Sequence, residues 1–209
     1  MADDLHKLFA ERIKTRIERY EDDNLSEDCI RYEYFNALLE TEKRKTCDLV
    51  LEYPHPHPKL KSERRKIDCV IMDKQNKPIQ AVEFKYFPPR SNHAASPEGM
   101  GSIFADCYRL LLTKIPHKTI VIVSLGNMTH YINNPKHGFD FLFASSADRK
   151  RIPIKKTFLD NIKSKGFHKT IEGKVYQDFS PFDFSLKRVF KDDCNSADNV
   201  IAIFDVLKG

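Results

Sequence analysis

Apolar residues recur at spacings of three and four over residues 3–20, where Leu5, Phe9, Ile13, Ile17 and Tyr20 predict a helix with one buried stripe. Arg12, Lys14, Arg16 and Arg19 fall on its wet flanks. Ser26 is placed to cap a second helix running to about Glu42, with Glu27 and Asp28 in a first turn where the helix dipole favours acids. Residues 48–53 read as a strand, ended by Pro54-His55-Pro56-His57-Pro58, whose three prolines exclude both helix and inner strand. Two further strands, residues 67–73 and 79–86, flank the polar turn Lys74-Gln75-Asn76-Lys77 and predict a hairpin. A loop rich in Pro, Gly and Ser over 87–101 leads into a helix over 102–113, with Ile103, Cys107, Leu110 and Leu111 on one side. Residues 118–125 hold the most apolar run and predict a buried strand. Strand, helix and strand in that order predict a parallel pairing and a mixed α/β sheet flanked by helices. Beyond Tyr131 the pattern predicts a helix over 155–165 and strands near 174–179, 184–190 and 200–206.

With 209 residues, 41% hydrophobic, 15 Phe and 8 Tyr, the chain is expected to fold as one domain, residues 1–209, and disorder throughout is excluded. No run approaches ~20 apolar residues, which excludes a helical membrane protein. The first residues mix both signs of charge and do not read as a signal or transit peptide. Five cysteines without a C-x-x-C pair argue against a zinc site and for a reducing cytoplasm. The net charge of +5 is modest, but basic residues bunch over 59–66 and 149–156, so local patches matter more than the total.

Candidate chemistry lies in the hairpin. A symmetric turn between Gln75 and Asn76 sets Asp68 opposite Glu83, with Lys85 two residues along on the same face. Directly opposed residues of an antiparallel pair hold their Cβ atoms ~5 Å apart. Ile67, Cys69, Val82, Phe84 and Tyr86 are expected to point the other way, into apolar packing. Two carboxylates so close repel unless a proton or cation lies between them, and hard oxygen ligands suit Mg²⁺ or Mn²⁺ better than zinc. Mg²⁺ keeps several waters and is commonly shared with substrate phosphate, so the expected reaction is phosphodiester hydrolysis, with Lys85 orienting water or neutralising developing charge.

Asp68, fourteen intervening residues, then Glu83-Phe84-Lys85 within a hairpin resemble the PD-(D/E)XK nuclease superfamily, the restriction-endonuclease-like fold. The resemblance covers residues 26–125, roughly half the chain, and leaves 126–209 as a C-terminal elaboration of the same domain. It implies that Asp68, Glu83 and the Phe84 carbonyl bind Mg²⁺, with Mn²⁺ able to substitute, and that Lys85 is catalytic. It also implies a glutamate on the preceding helix: Glu27 is preferred, in a run that looks like the opening of bacterial restriction-type members, with Glu33 close behind. Ile67 replaces the family's proline, and the later helix lacks a Q-x-x-x-Y pattern, which argues against the recombination-exonuclease branch. The implied activity is a DNA endonuclease. Acting as a dimer it would break both strands, and as a monomer it would nick.

The basic run 59–66 and residues 85–93 flank the hairpin, so Arg64, Arg65, Lys66 and Arg90 are candidate DNA-backbone contacts, against a bland reading as solvated charge. Asp106 and Arg109, three apart on the later helix, read as a surface ion pair worth under ~1 kcal/mol, with support of the site as the alternative. His55 and His57 point apart on an extended loop and read as loop residues rather than ligands. Two rivals to the nuclease are a silent member that binds nucleic acid or a protein partner, and an α/β interaction protein whose E-x-K strand is plain surface.

Overall fold

In the computed structural model, which describes residues 2–19, 25–57, 66–89, 97–144, 150–175, 179–194, 196 and 198–209, the two N-terminal helices form where the pattern places them. α1 (Ala2–Arg19) buries Leu5, Phe9 and Ile13. α2 (Glu27–Glu42) starts at Ser26, whose hydroxyl accepts the Cys29 N–H, and stops at Lys43 in the left-handed region.

Seven strands form one mixed sheet: β1 (Leu49–Pro54), β2 (Lys66–Met72), β3 (Pro78–Phe87), β4 (His117–Leu125), β5 (Arg151–Ile154), β6 (Phe184–Asp192) and β7 (Asn199–Lys208), in the spatial order β1-β2-β3-β4-β7-β6-β5. Only β3 and β4 are parallel, joined by α3 (Pro97–Leu111), and every other neighbour pair is antiparallel. α1 and α2 cover one face. α3, α4 (Asn127–Asn133), α5 (Lys156–Asp160) and α6 (Lys165–Lys174) cover the other. With both faces covered, the central strand β4 is buried from Thr119 to Leu125, which is why it reads as a continuous apolar run. Among the described residues no helix is long and apolar enough to cross a membrane.

The hairpin takes the expected register, pairing Cys69 with Val82, Val70 with Ala81 and Ile71 with Gln80, before a bulge near the turn. One expectation fails at its other end. Ile67 packs with the α3-side core, not with Cys69 on the α2 side. The cause is a kink: Glu52 has φ 51°, the β1–β2 ladder skips Glu52 and Asp68 between Leu51–Cys69 and Tyr53–Ile67, and both Tyr53 and Ile67 emerge on the opposite face. Asp68 therefore sits where the sheet twists out of regular alternation.

Three further expectations are corrected. α3 begins at Pro97, five residues before the predicted start, because Gly101 lets it lie against α6, where a Cβ would meet the Phe167 carbonyl at 2.6 Å. The helix predicted over 155–165 forms only as the short α5, and α6 starts at its last residue and runs on to Lys174. The strand expected near 174–179 is not formed at its described ends: Lys174 closes α6 and Phe179 is irregular. Phe167, Ile171 and Val175 instead continue a helical four-residue repeat into the core.

Candidate functional site

The site gathers at the carboxyl half of β3, the start of β2, the head of α2 and the middle of α3. Phe84 fixes it. Its ring is fully buried, edge-on to Tyr34 at 5.3 Å and to Phe35 at 6.2 Å, so its backbone is held in place. The Phe84 N–H donates to Asp68 Oδ2 at 2.8 Å, and its carbonyl accepts from Lys85 Nζ at 2.8 Å. Asp68 thus meets β3 through its side chain at the step where the regular ladder ends.

Glu83 is 1% exposed and faces α3. Its Oε1 lies 3.3 Å from Arg109 Nη2 and takes no hydrogen bond among the described residues. Arg109 donates to Asp106 Oδ1 at 3.0 Å and to the Lys66 carbonyl. Asp106 Oδ2 lies 2.7 Å from Lys85 Nζ, which is also 3.9 Å from Glu27 Oε2. Asp106 and Arg109 are therefore no surface pair: the carboxylate is 1% exposed and the pair is the inner wall of the site. Every residue of α3 from Met100 to Leu110 is buried except Ser102, because the helix is sandwiched between the sheet and α6.

Arg31, which the motif does not include, organises the outer wall. Its Nη2 donates to both Asp68 Oδ1, at 2.7 Å, and Glu27 Oε1, at 2.9 Å. Its Nη1 lies 3.4 Å from Asp28 Oδ1 and 3.3 Å from Glu52 Oε1. Glu27 thereby joins the hairpin. Glu33 is turned away onto Arg12 and Arg16 of α1. A cleft of about 290 Å³ opens from Asp68, lined by Arg31, Tyr32, Leu51 and Glu52 among others. Tyr32 and Leu51 are 62% and 48% exposed.

Glu27, Asp68, Glu83 and Asp106 thus face Arg31, Lys85 and Arg109, with Lys174 also acting on Asp106. Burial, then the Asp68 and Asp106 charges, raise the Glu83 carboxyl well above the ordinary value, against the opposing Arg109 and Lys85 charges. Asp106 goes the other way. Although burial opposes it, Lys85, Lys174 and Arg109 hold it below the usual carboxylate range. Burial pulls Lys85 down, but Asp106, Glu27, Glu83 and Asp68 more than reverse this, so it stays charged above the usual lysine range.

Among the described residues no three His, Cys, Asp or Glu side chains are grouped to hold a metal. Asp68 is held by Arg31 and the Phe84 N–H, Glu83 faces Arg109, and Glu27 is linked to Asp68 through Arg31 and approaches Lys85 at 3.9 Å. The donors are nonetheless all hard oxygens: two carboxylates, one with a buried oxygen lacking a hydrogen bond, and the Phe84 carbonyl. This set fits Mg²⁺, which is usually held by one or two carboxylates plus waters rather than by a closed protein cage.

His55 is buried. Its Nε2–H donates to the Arg109 carbonyl at 2.8 Å and its Nδ1 accepts the His57 N–H at 3.1 Å, so it ties the proline-rich loop to α3. Lys66 is largely exposed, 3.2 Å from Glu52. Arg64, Arg65 and Arg90 lie outside the described residues. Arg151, Lys155 and Lys156 lie at β5, the far edge of the sheet from β1. Compared with known proteins, the chain matches no family model, no curated protein and no solved structure.

Proposed function

We propose that this chain is a Mg²⁺-dependent endonuclease with a restriction-endonuclease-like core, hydrolysing DNA phosphodiester bonds through Asp68, Glu83 and Lys85 with Glu27 in support. Mn²⁺ is expected to substitute. The observation that carries the reading is the buried Glu83 carboxyl, whose Oε1 lies 3.3 Å from Arg109 yet takes no hydrogen bond among the described residues, and which a divalent ion would stabilise in its charged form. Asp68, Glu83 and the Phe84 carbonyl would hold that ion, which supplies Lewis-acid stabilisation of a phosphate and activation of a water. Lys85 remains an ammonium, held by Asp106 and the Phe84 carbonyl, and so neutralises charge on the phosphate oxygens rather than acting as a base. Arg109 bridges the two inner carboxylates, hydrogen-bonded to Asp106 at 3.0 Å and 3.3 Å from Glu83.

A second reading, a catalytically silent nuclease-fold protein that binds nucleic acid or a protein partner, draws on Arg31, which already gives Asp68 and Glu27 a protein counter-ion. Plasmid cleavage separates the two. Wild type is expected to nick or linearise supercoiled DNA in Mg²⁺ or Mn²⁺ and not in EDTA, and folded Lys85→Ala and Glu83→Ala to lose that activity. DNA left intact by wild type across supercoiled, linear and single-stranded substrates would favour the silent reading.

A further inference from the structure

Arg31 takes up the position between two carboxylates that a cation would be expected to fill. Its Nη2 forks between Asp68 Oδ1 and Glu27 Oε1 at 2.7 and 2.9 Å, while Glu52 and Asp28 hold the other nitrogen at 3.3 and 3.4 Å. Asp68 Oδ2 is meanwhile taken by the Phe84 N–H. A divalent ion at Asp68 would thus stand beside a guanidinium that cannot lose its proton. Like charges at that range repel strongly in a partly buried site. The side chain is 20% exposed and lines the cleft that opens from Asp68, so it has a path away from the carboxylates.

We propose that Arg31 is a resident counter-ion that competes with the metal for Asp68 and Glu27 and, once displaced into the cleft, becomes a ligand for a phosphate of the substrate. The inference rests on the metal-dependent reading above and adds to it a binding order: metal and phosphate enter together, because the phosphate gives the displaced guanidinium a new partner. A planar fork that now grips two carboxylates suits two phosphate oxygens equally well. Metal alone is then bound weakly, and the substrate strengthens it.

The test is calorimetric titration of Mn²⁺ into metal-free wild type, Arg31→Gln and Arg31→Lys, each with its fold confirmed by circular dichroism, with and without a phosphorothioate oligonucleotide. Without oligonucleotide, Arg31→Gln is expected to bind Mn²⁺ about tenfold more tightly than wild type, the scale of removing one nearby like charge. Oligonucleotide should raise the Mn²⁺ affinity of wild type by a larger factor than that of Arg31→Gln, in which only the metal–phosphate contact remains. If Arg31→Gln does not fold, Arg31→Lys, which keeps the charge but lacks the second nitrogen that reaches Asp28 and Glu52, should move in the same direction by less. Equal or weaker Mn²⁺ binding in the folded variants overturns the inference and makes Arg31 a brace for the carboxylates. Absence of Mn²⁺ binding in wild type and variants alike, with or without oligonucleotide, overturns the metal reading itself.

Discussion

Glu83 should govern how stability depends on pH in the metal-free protein. Its folded carboxyl keeps a proton above 4.5, where the unfolded carboxyl has lost it. The folded state then binds more protons, so this group's stabilisation is full at low pH and lost as pH rises toward the raised folded value. Thermal midpoints at about pH 5 and about pH 8 should therefore fall further in wild type than in Glu83→Gln, which cannot ionise. His55 acts in the opposite sense. Burial, with the Arg109 hydrogen bond only partly offsetting it, lowers its pKa to about 4, so its contribution is present above the ordinary 6.5 and lost as pH falls toward 4. Replacing it with Ala removes one donor from the Arg109 carbonyl, which keeps the Leu112 N–H at 3.2 Å, and should cost roughly 0.5–1.5 kcal/mol by urea denaturation. Asp106→Ala strands two buried cations and should cost roughly 3–5 kcal/mol in the same measurement. The hairpin register and the placing of Glu83 and Lys85 on β3 were legible in the sequence because a two-residue period and a short turn fix them, whereas Asp68 lies beyond the paired ladder. Arg31 was not, since an arginine amid acids on a helix start reads as a solvated face. The burial of Asp106 and Arg109 had a signal: Met100, Ile103, Phe104, Cys107, Tyr108 and Leu110 surround α3 on all sides, and a helix apolar all round has no wet face for a polar residue.

At the level of elements, the head of α2 and the packing of α3 on α6 decide whether the side chains meet. Ser26→Ala removes the cap that starts α2 one residue before Glu27 and should cost about 1 kcal/mol of unfolding free energy. Gly101→Val drives a branched side chain into the Phe167 backbone and should cost roughly 1–3 kcal/mol, pushing α3 and with it Asp106 off the sheet. Differential scanning calorimetry reads both, and a Gly101→Val midpoint equal to wild type would mean that α3 and α6 are not packed this closely. α1, α2, the hairpin and β4 follow the sequence pattern because each has one unbroken period and a clear stop. So do β6 and β7, whereas residues 155–179 do not, because Gly166 and Gly173 interrupt a ten-residue helix that buries only Phe167 and Ile171.

Taken as a whole, the molecule places its carboxylates where helices from both faces of the sheet converge on β3: Glu27 and Arg31 from α2 on one side, Asp106 and Arg109 from α3 on the other. Neither half of the site is visible from the other along the chain, and the kink at Glu52 that re-aims Asp68 leaves no mark in composition. This convergence would seat a divalent cation, and thermal denaturation in Mn²⁺ tests that without reference to any substrate. A ligand at about a hundred times its dissociation constant stabilises the folded state by about 2.7 kcal/mol, a rise of roughly 5 °C or more for a chain of this size. Wild type should show that rise, EDTA should reverse it, and folded Asp68→Ala and Glu83→Gln should lack it. An unchanged wild-type midpoint, or an equal rise in Asp68→Ala, would contradict the account.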